Sequence, residues 1–219
     1  MKAMILAAGR GERMRPLTDT LPKPLLEVQG KTLILWHIEK LVKNGFKEII
    51  INTAYLGYKI PEYLGNGSKY GISILYSDEQ NSGALESAGG IKKALPLLGN
   101  EPFLVVNGDV FCSYEFDINF DLKDKKAHLI LVPNPEHNSN GDFALKNSVV
   151  LNQAEKMYTF SGIGYYTHEF FDTINIEKKS LAPLLREAIQ KEEISGEVFT
   201  KMWHDIGTPS RLKKINNEN

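Results

Sequence analysis

One cysteine, Cys112, stands among 219 residues. A lone thiol cannot close a disulfide within the chain, and it excludes a zinc site built on several cysteines. No apolar run approaches the ~20 residues that a membrane-spanning helix needs. The opening run Met1-Lys2-Ala3-Met4-Ile5-Leu6-Ala7-Ala8 breaks at Gly9-Arg10, too soon for a signal peptide, whose apolar stretch of about 7–15 residues leads to a cleavage site. It reads as a buried first strand, and a cytoplasmic protein is the expectation. Neither charge is in excess: 26 Lys and Arg face 27 Asp and Glu, a formal net charge of −1. Bulk attraction to nucleic acid or to an anionic membrane is therefore absent. Repeats, low-complexity tracts and linkers are also missing. A hydrophobic share of 42% and a charged share of 24% are ordinary globular proportions. One domain over residues 1–219 is expected.

What is present is an alternation of strand-like and helix-like stretches. Lys2–Ala7 reads as a strand, and Ala8–Pro24 as a long loop rich in Gly, Arg and Pro. Thr32–Asn44 reads as a helix with Ile34, Ile38, Leu41 and Val42 on one face and Asn44-Gly45 as its stop. Lys47–Thr53 carries the β-branched run Ile49-Ile50-Ile51, which suits a strand covered on both faces. Further strands are expected at Ile72–Tyr76, Pro102–Asn107, Ala127–Val132, Tyr158–Tyr166 and Met202–Ile206. Helices are expected at Glu86–Leu98, at Ser180–Lys191 and after Thr208-Pro209, and a hairpin over Phe143–Leu151. The aromatics Tyr158, Phe160, Tyr165 and Tyr166 read as core. The pattern predicts an α/β fold, Rossmann-like, with a mostly parallel central sheet and helices on both faces. In such sheets ligands bind beyond the carboxyl ends of the strands.

Three strand ends and one lysine hold the candidate chemistry. The first strand runs into Ala7-Ala8-Gly9-Arg10-Gly11-Glu12-Arg13-Met14-Arg15-Pro16-Leu17-Thr18. Glycines let backbone N–H groups approach an anion, and three arginines add positive charge. A dinucleotide fingerprint needs a third glycine where Met14 stands, and a Walker loop needs a closing Gly-Lys-Ser/Thr that is absent. The loop thus reads as a phosphate loop of another type, or as a basic surface turn. Next, Pro22-Lys23-Pro24 brackets a lysine with two stiff residues, and Pro24 is expected to hold Lys23 extended. Past the buried run Val105-Val106 comes Asn107-Gly108-Asp109, and Trp203-His204 leads to Asp205-Ile206-Gly207-Thr208. A carboxylate at a strand end suits Mg²⁺, which takes one or two carboxylates and completes its shell with substrate phosphates. The plain alternatives are a turn aspartate and a helix-capping carboxylate. His37 and Cys112 read as core residues.

Taken together, the run Leu6–Thr18 followed by Pro22-Lys23-Pro24 resembles the signature of the sugar-1-phosphate nucleotidylyltransferases. The likeness continues through Asn107-Gly108-Asp109, Phe160-Ser161-Gly162-Ile163-Gly164 and Asp205-Ile206-Gly207-Thr208. It implies the nucleotide-diphospho-sugar transferase type of fold and small-molecule substrates, a nucleoside triphosphate and a sugar-1-phosphate, with Mg²⁺ as cofactor. It also implies roles. Ala8, Gly9, Gly11, Glu12 and Arg13 would wrap the triphosphate, with Arg13 and Lys23 neutralising charge during transfer. Ala88 and Gly89 would approach the base, Asn107, Asp142 and Gly162 would contact the sugar, and Asp109 and Asp205 would hold the metal. Glu155-Lys156 resembles a Glu-Lys pair of many members, or is a solvated turn. Gly141-Asp142-Phe143 and Leu181–Arg186 bring the likeness nearest to members that transfer a uridylyl group from UTP to N-acetylmuramic acid α-1-phosphate. Ala88, which stands where those members carry glycine, leaves GTP with mannose-1-phosphate or dTTP with glucose-1-phosphate as alternatives. A non-catalytic nucleotide-sugar sensor is a third.

Overall fold

The computed structural model describes residues 1–217. In chain order the elements are β1 (Lys2–Leu6), a hairpin of β2 (Glu27–Val28) and β3 (Lys31–Thr32), α1 (Leu33–Lys43), β4 (Glu48–Thr53), α2 (Lys59–Leu64), β5 (Ser73–Asp78) and α3 (Glu86–Leu98). Then come β6 (Phe103–Asn107), β7 (Val110–Cys112), β8 (Ala127–Val132), β9 (Phe143–Lys146), β10 (Val149–Leu151) and β11 (Met157–Tyr166). The last are α4 (Leu181–Gln190), β12 (Ile194–Val198), β13 (Trp203–Asp205) and α5 (Pro209–Asn217).

Nine strands form one sheet in the order β5-β4-β1-β6-β11-β8-β12-β10-β9. β5, β4, β1 and β6 are parallel neighbours, and β12 is parallel to β8. β11 and β10 run against the rest. Seven of the nine strands thus point one way, as the strand–helix alternation implies, while the pairings made by β11 and β10 are antiparallel. Side chains alternate between its faces. On β6, Phe103 and Val105 join a core with α3 and α4 on one face, while Leu104 and Val106 join a core with α1 and α2 on the other. A third cluster, Met14, Leu26, Val28, Leu33, Phe111, Ile206, Leu212 and Ile215, lies under the loop after β1 and holds α5 against the β2–β3 hairpin.

The β9–β10 hairpin turns through Asn147 and Ser148, both at positive φ (50° and 63°), the conformation that a two-residue turn between right-twisted strands demands. α2 tolerates Pro61 because a proline near a helix start removes an N–H that has no partner there. The short elements β2, β3, α2, β7 and β12 are the ones that periodicity does not announce. Tyr165 and Tyr166 are fully buried, whereas Tyr158 and Phe160, nearer the start of β11, are only half-buried.

Candidate active site

The strand order places the carboxyl ends of β1, β4 and β6 side by side. Gly108 N–H extends the β1–β6 ladder by bonding the Leu6 carbonyl at 2.9 Å, and Asn52 brings its side chain to the Ala7 N–H at 2.7 Å. A cavity of about 540 Å³ opens there. One wall is the loop after β1. Met14, fully buried, pins that loop to the third core cluster. Gly11 O accepts the Met14 N–H and the Thr18 hydroxyl, both at 2.8 Å. With its base so fixed, the loop leaves Arg10, Glu12 and Arg13 exposed along the cavity.

Lys23 reaches the cavity from below. Its backbone corrects the expectation of an extended residue. It opens a short 3-10 turn, and Pro22 is the extended residue, with ψ 143°. Two turn hydrogen bonds, Leu25 N–H to Pro22 O at 2.9 Å and Leu26 N–H to Lys23 O at 3.0 Å, offset the crowding that Pro24 imposes on its neighbour. The side chain is largely buried, and its Nζ lies 2.6 Å from Asp109 Oδ2.

The two aspartates are brought to one place by a small antiparallel ladder. β7 pairs with β13, Asp205 opposite Val110, and the Ile206 N–H bonds the Asp109 carbonyl at 2.8 Å. Asp205 Oδ1 accepts from Arg211 Nη1, and its Oδ2 lies 3.5 Å from His137 Nε2. Sequence reasoning missed Arg211 and His137. Arg211 has a legible signal, since it lies in the first turn of the helix that Thr208-Pro209 opens. Among the described residues no group of three or more His, Cys, Asp and Glu side chains is gathered around a point. Two carboxylates from neighbouring chain segments are oxygen donors of the kind that suits Mg²⁺ bound chiefly through substrate oxygens, with His137 Nε2 also near one of them. Cations of the protein already lie against both carboxylates, so a metal would enter with Lys23 and Arg211 as its competitors.

Ala8, Gly9, Gly11, Glu12, Arg13, Lys23 and Asp109 line the cavity. Ala88 and Gly89 do not. They are fully buried in the first turn of α3, and their N–H groups bond the Lys179 carbonyl at 3.0 and 3.1 Å. Glu86 and Ser87 form the wall in that segment, Glu86 with Lys178 Nζ 3.7 Å away. Asn107 and Gly162 are brought together. Gly162 sits at φ +79°, where β11 bulges against β8, and a Cβ there would lie 2.6 Å from Asn107 Nδ2. Asp142 is engaged within the protein: its oxygens accept from Asn138 Nδ2 at 3.1 Å and the Phe160 N–H at 2.8 Å. It therefore shapes the loop before β9 with both oxygens already in use. Glu155 and Lys156 are exposed, Lys156 lying over the Tyr158 ring.

Neither core candidate supplies a nucleophile or base. His37 is buried, and burial, reinforced by Lys40, lowers its pKa to about 4 against the opposing pull of Asp109 and a hydrogen bond to the Gly108 backbone. Burial pushes the Cys112 thiol up. The inventory is one for positioning and neutralising anions: Arg10, Arg13, Lys23 and Lys178 around one cavity that Asp109 also lines, with Asp205 Oδ1 close to Gly207 at its edge.

The family model for nucleotidyl transferases matches residues 2–219. The chain belongs to that family. This transferase is 52% identical over 223 residues to N-acetylmuramate α-1-phosphate uridylyltransferase of Neisseria meningitidis serogroup B, an alignment covering 98% of this chain and 96% of that one. It is 31% identical over 222 residues to mannose-1-phosphate guanylyltransferase catalytic subunit beta of Drosophila melanogaster, spanning 95% of this chain but 60% of that longer relative. Among solved structures, a Bacillus anthracis protein assigned as a glucose-1-phosphate thymidylyltransferase, in complex with a sucrose, superposes with a TM-score of 0.85 at 22% identity, covering 99% and 94% of the two chains. The inositol-1-phosphate CTP transferase of T. maritima superposes with a TM-score of 0.75 at 18% identity, covering 99% and 96%. At those identities the likeness is one of fold, and the fold is the one that the strand–helix alternation implies. The transferase has no helix long and apolar enough to cross a membrane among its described residues.

Proposed function

We propose that this transferase moves a uridylyl group from UTP to N-acetylmuramic acid α-1-phosphate, giving UDP-N-acetylmuramic acid and pyrophosphate, in a Mg²⁺-dependent reaction carried by one catalytic domain. The observation that carries the substrate pair is the 52% identity that runs over nearly the whole of both chains to a relative of that name. The cavity, its cations and its paired aspartates support the reaction type.

In the reaction an oxygen of the sugar phosphate attacks the α-phosphorus of UTP, a new P–O bond forms, and the bond to the bridging oxygen of the leaving pyrophosphate breaks. The attacking oxygen belongs to a phosphate monoester whose second pKa is near ~6, so it is anionic at neutral pH and needs no general base. None of the described residues lining the cavity is a histidine, which agrees with that. The barrier is the approach of two polyanions, which positioning and preorganised charge reduce. The backbone at Ala8, Gly9 and Gly11 receives the triphosphate. Glu12 shares that wall, and Arg13 takes up charge as the pyrophosphate departs. Lys23, held by Asp109 on a stiff turn, is aimed at the α-phosphate. Asp109 and Asp205 would hold Mg²⁺, which would supply charge that screens the phosphate oxygens. Glu86 and Ser87 face the base, with Ala88 and Gly89 behind them. Asn107 and Gly162 meet the sugar, and Asp142 orders the loop that covers it.

The test is pyrophosphate release by the purified protein with Mg²⁺, across four nucleoside triphosphates and a panel of sugar-1-phosphates. Release confined to UTP with N-acetylmuramic acid α-1-phosphate is the expected result. Release with GTP and mannose-1-phosphate, or dTTP and glucose-1-phosphate, keeps the reaction type and replaces the pair. Folded protein that binds nucleotide and releases nothing sinks the catalytic reading in favour of a sensor.

A further inference from the structure

Glu79 and Asn52 lie outside every motif that drew attention in the sequence. Glu79 has no solvent exposure and Asn52 has 2%. Glu79 follows β5 and bonds the Thr53 carbonyl through its own N–H at 2.7 Å. Its Oε1 accepts from Asn52 Nδ2 at 2.7 Å, and its Oε2 accepts the N–H of Leu85 at 2.7 Å. The Oδ1 of Asn52 in turn accepts the N–H of Ala7 at 2.7 Å. None of these partners is a cation. The carboxylate sits instead at the N-terminal end of α3, where unpaired N–H groups and the helix dipole favour negative charge. α3 makes room for the pair with Gly90, whose Cβ would lie 2.7 Å from Glu79 Oε1 and 2.8 Å from Asn52 Nδ2.

The polarity of this chain of bonds has one solution. The Ala7 and Leu85 N–H groups are donors and must each meet an oxygen. Asn52 therefore turns its amide oxygen to Ala7 and its NH₂ to Glu79, and Glu79 must accept on both oxygens, as only a carboxylate does. The two ends of the chain lie in two segments that line the cavity, Ala7 in one and Leu85 between the lining residues Ala84 and Glu86 in the other, and Asn52 lines it too. Ala7 begins the phosphate loop, and Leu85 leads into Glu86 and Ser87. We infer that the Asn52–Glu79 pair is a positioning device for the nucleotide, holding the Ala7–Ala8 backbone and the Glu86–Ser87 backbone at the separation that a nucleoside triphosphate spans. The inference rests on the reading of this cavity as the UTP site.

The polarity argument supplies a test in which hardly an atom is added or removed. In Glu79→Gln, whichever way the new amide and Asn52 turn, one NH₂ must face another donor, so one bond of the chain is lost. In Glu79→Gln with Asn52→Asp, the new amide oxygen accepts from Leu85 and the new NH₂ donates to the carboxylate introduced at position 52. That carboxylate accepts from Ala7 through its other oxygen, so every bond is restored with the charge moved from one side chain of the pair to the other. UTP affinity is measured by calorimetry, and both KM values by pyrophosphate release. Glu79→Gln is expected to weaken UTP binding and raise its KM by about five- to tenfold, the net worth of one buried hydrogen bond, with the sugar-phosphate KM within about twofold of wild type. The double variant is expected to return within about threefold of wild type. If Glu79→Gln does not fold, Asn52→Ala takes its place, with the same weakening expected. Unchanged UTP affinity in the single variants, a double variant no better than Glu79→Gln, or both KM values rising in parallel with a fall in Tm would each overturn the inference. A wild-type protein that binds none of the four nucleoside triphosphates overturns the UTP-site reading and this inference with it.

Discussion

Lowering the pH from 7.5 to 5 should weaken the fold, and His37 should carry a measurable share of the loss, burial lowering the pKa of His128 in the same direction. His37 sits on α1 with 4% exposure, its Nε2 has no hydrogen-bond partner, and burial together with Lys40 lowers its pKa from 6.5 to about 4. The unfolded chain takes up a proton near the ordinary value, while the folded chain refuses it until about 4. The contribution of neutral His37 is therefore complete above about pH 6.5 and is lost as the pH falls toward 4. At ~1.4 kcal/mol per pKa unit the whole loss is roughly 3 kcal/mol, and integration to pH 5 gives about 2 kcal/mol. That is a large part of a stability of about 5–15 kcal/mol. The assay is urea unfolding followed by tryptophan fluorescence at both pH values, for wild type and His37→Gln. The pH-induced loss in wild type should exceed that in the variant by about 2 kcal/mol, whatever the variant's own stability. Equal losses in the two proteins would refute the reasoning and place the acid sensitivity elsewhere.

Three further outcomes follow from the same geometry. Lys23→Met should lower kcat on the order of 10²–10³-fold, as loss of a preorganised charge does, with unchanged far-ultraviolet circular dichroism; a loss under about threefold would remove Lys23 from the reaction. Gly162→Ala forces a Cβ into Asn107 at a backbone of φ +79°, so the sugar-phosphate KM should rise by about tenfold or more while the UTP KM stays; equal rises in both would show a general disturbance of the sheet. Phe103→Ala removes a fully buried ring stacked on Phe171 at 6.1 Å and should cost about 3–5 kcal/mol in chemical denaturation, a value below about 1 kcal/mol contradicting the assigned core.

The long elements were legible in the sequence because their burial leaves a period. Glu86–Leu98 and Ala127–Val132 begin and end where the pattern places them, since Leu97-Leu98-Gly99 and the flanking polar residues punctuate them. β12 was not legible: Ile194-Ser195-Gly196-Glu197-Val198 owes its place to pairing with β8, since Gly196 and Glu197 offset what Ile194 and Val198 lend a strand. β7, three residues long, is likewise made by tertiary pairing, its partner being β13, which falls within the strand expected at Met202–Ile206. In the site, charged residues clustered along the chain, such as Gly11–Arg13 and Lys23, could be read from their order alone. Partners distant in sequence could not. His137 meets Asp205 across 68 residues, and Asn52 meets Glu79 across 27. Ala88 and Gly89, which the resemblance sets near the base, pack against the Glu177 and Lys179 backbone behind Glu86 and Ser87, a placement that their order in the chain does not show.

The central claim is that nucleotidyl transfer takes place at the cavity that Asp109 lines, with Asp205 beside it next to Gly207. The most direct measurement is Mg²⁺-dependent pyrophosphate release from UTP and N-acetylmuramic acid α-1-phosphate by wild type and by Asp109→Asn, with folding of both checked by thermal unfolding. The account predicts a fall in kcat on the order of 10²-fold or more, in a protein that unfolds as cooperatively as wild type. Turnover in Asp109→Asn within about threefold of wild type would contradict it.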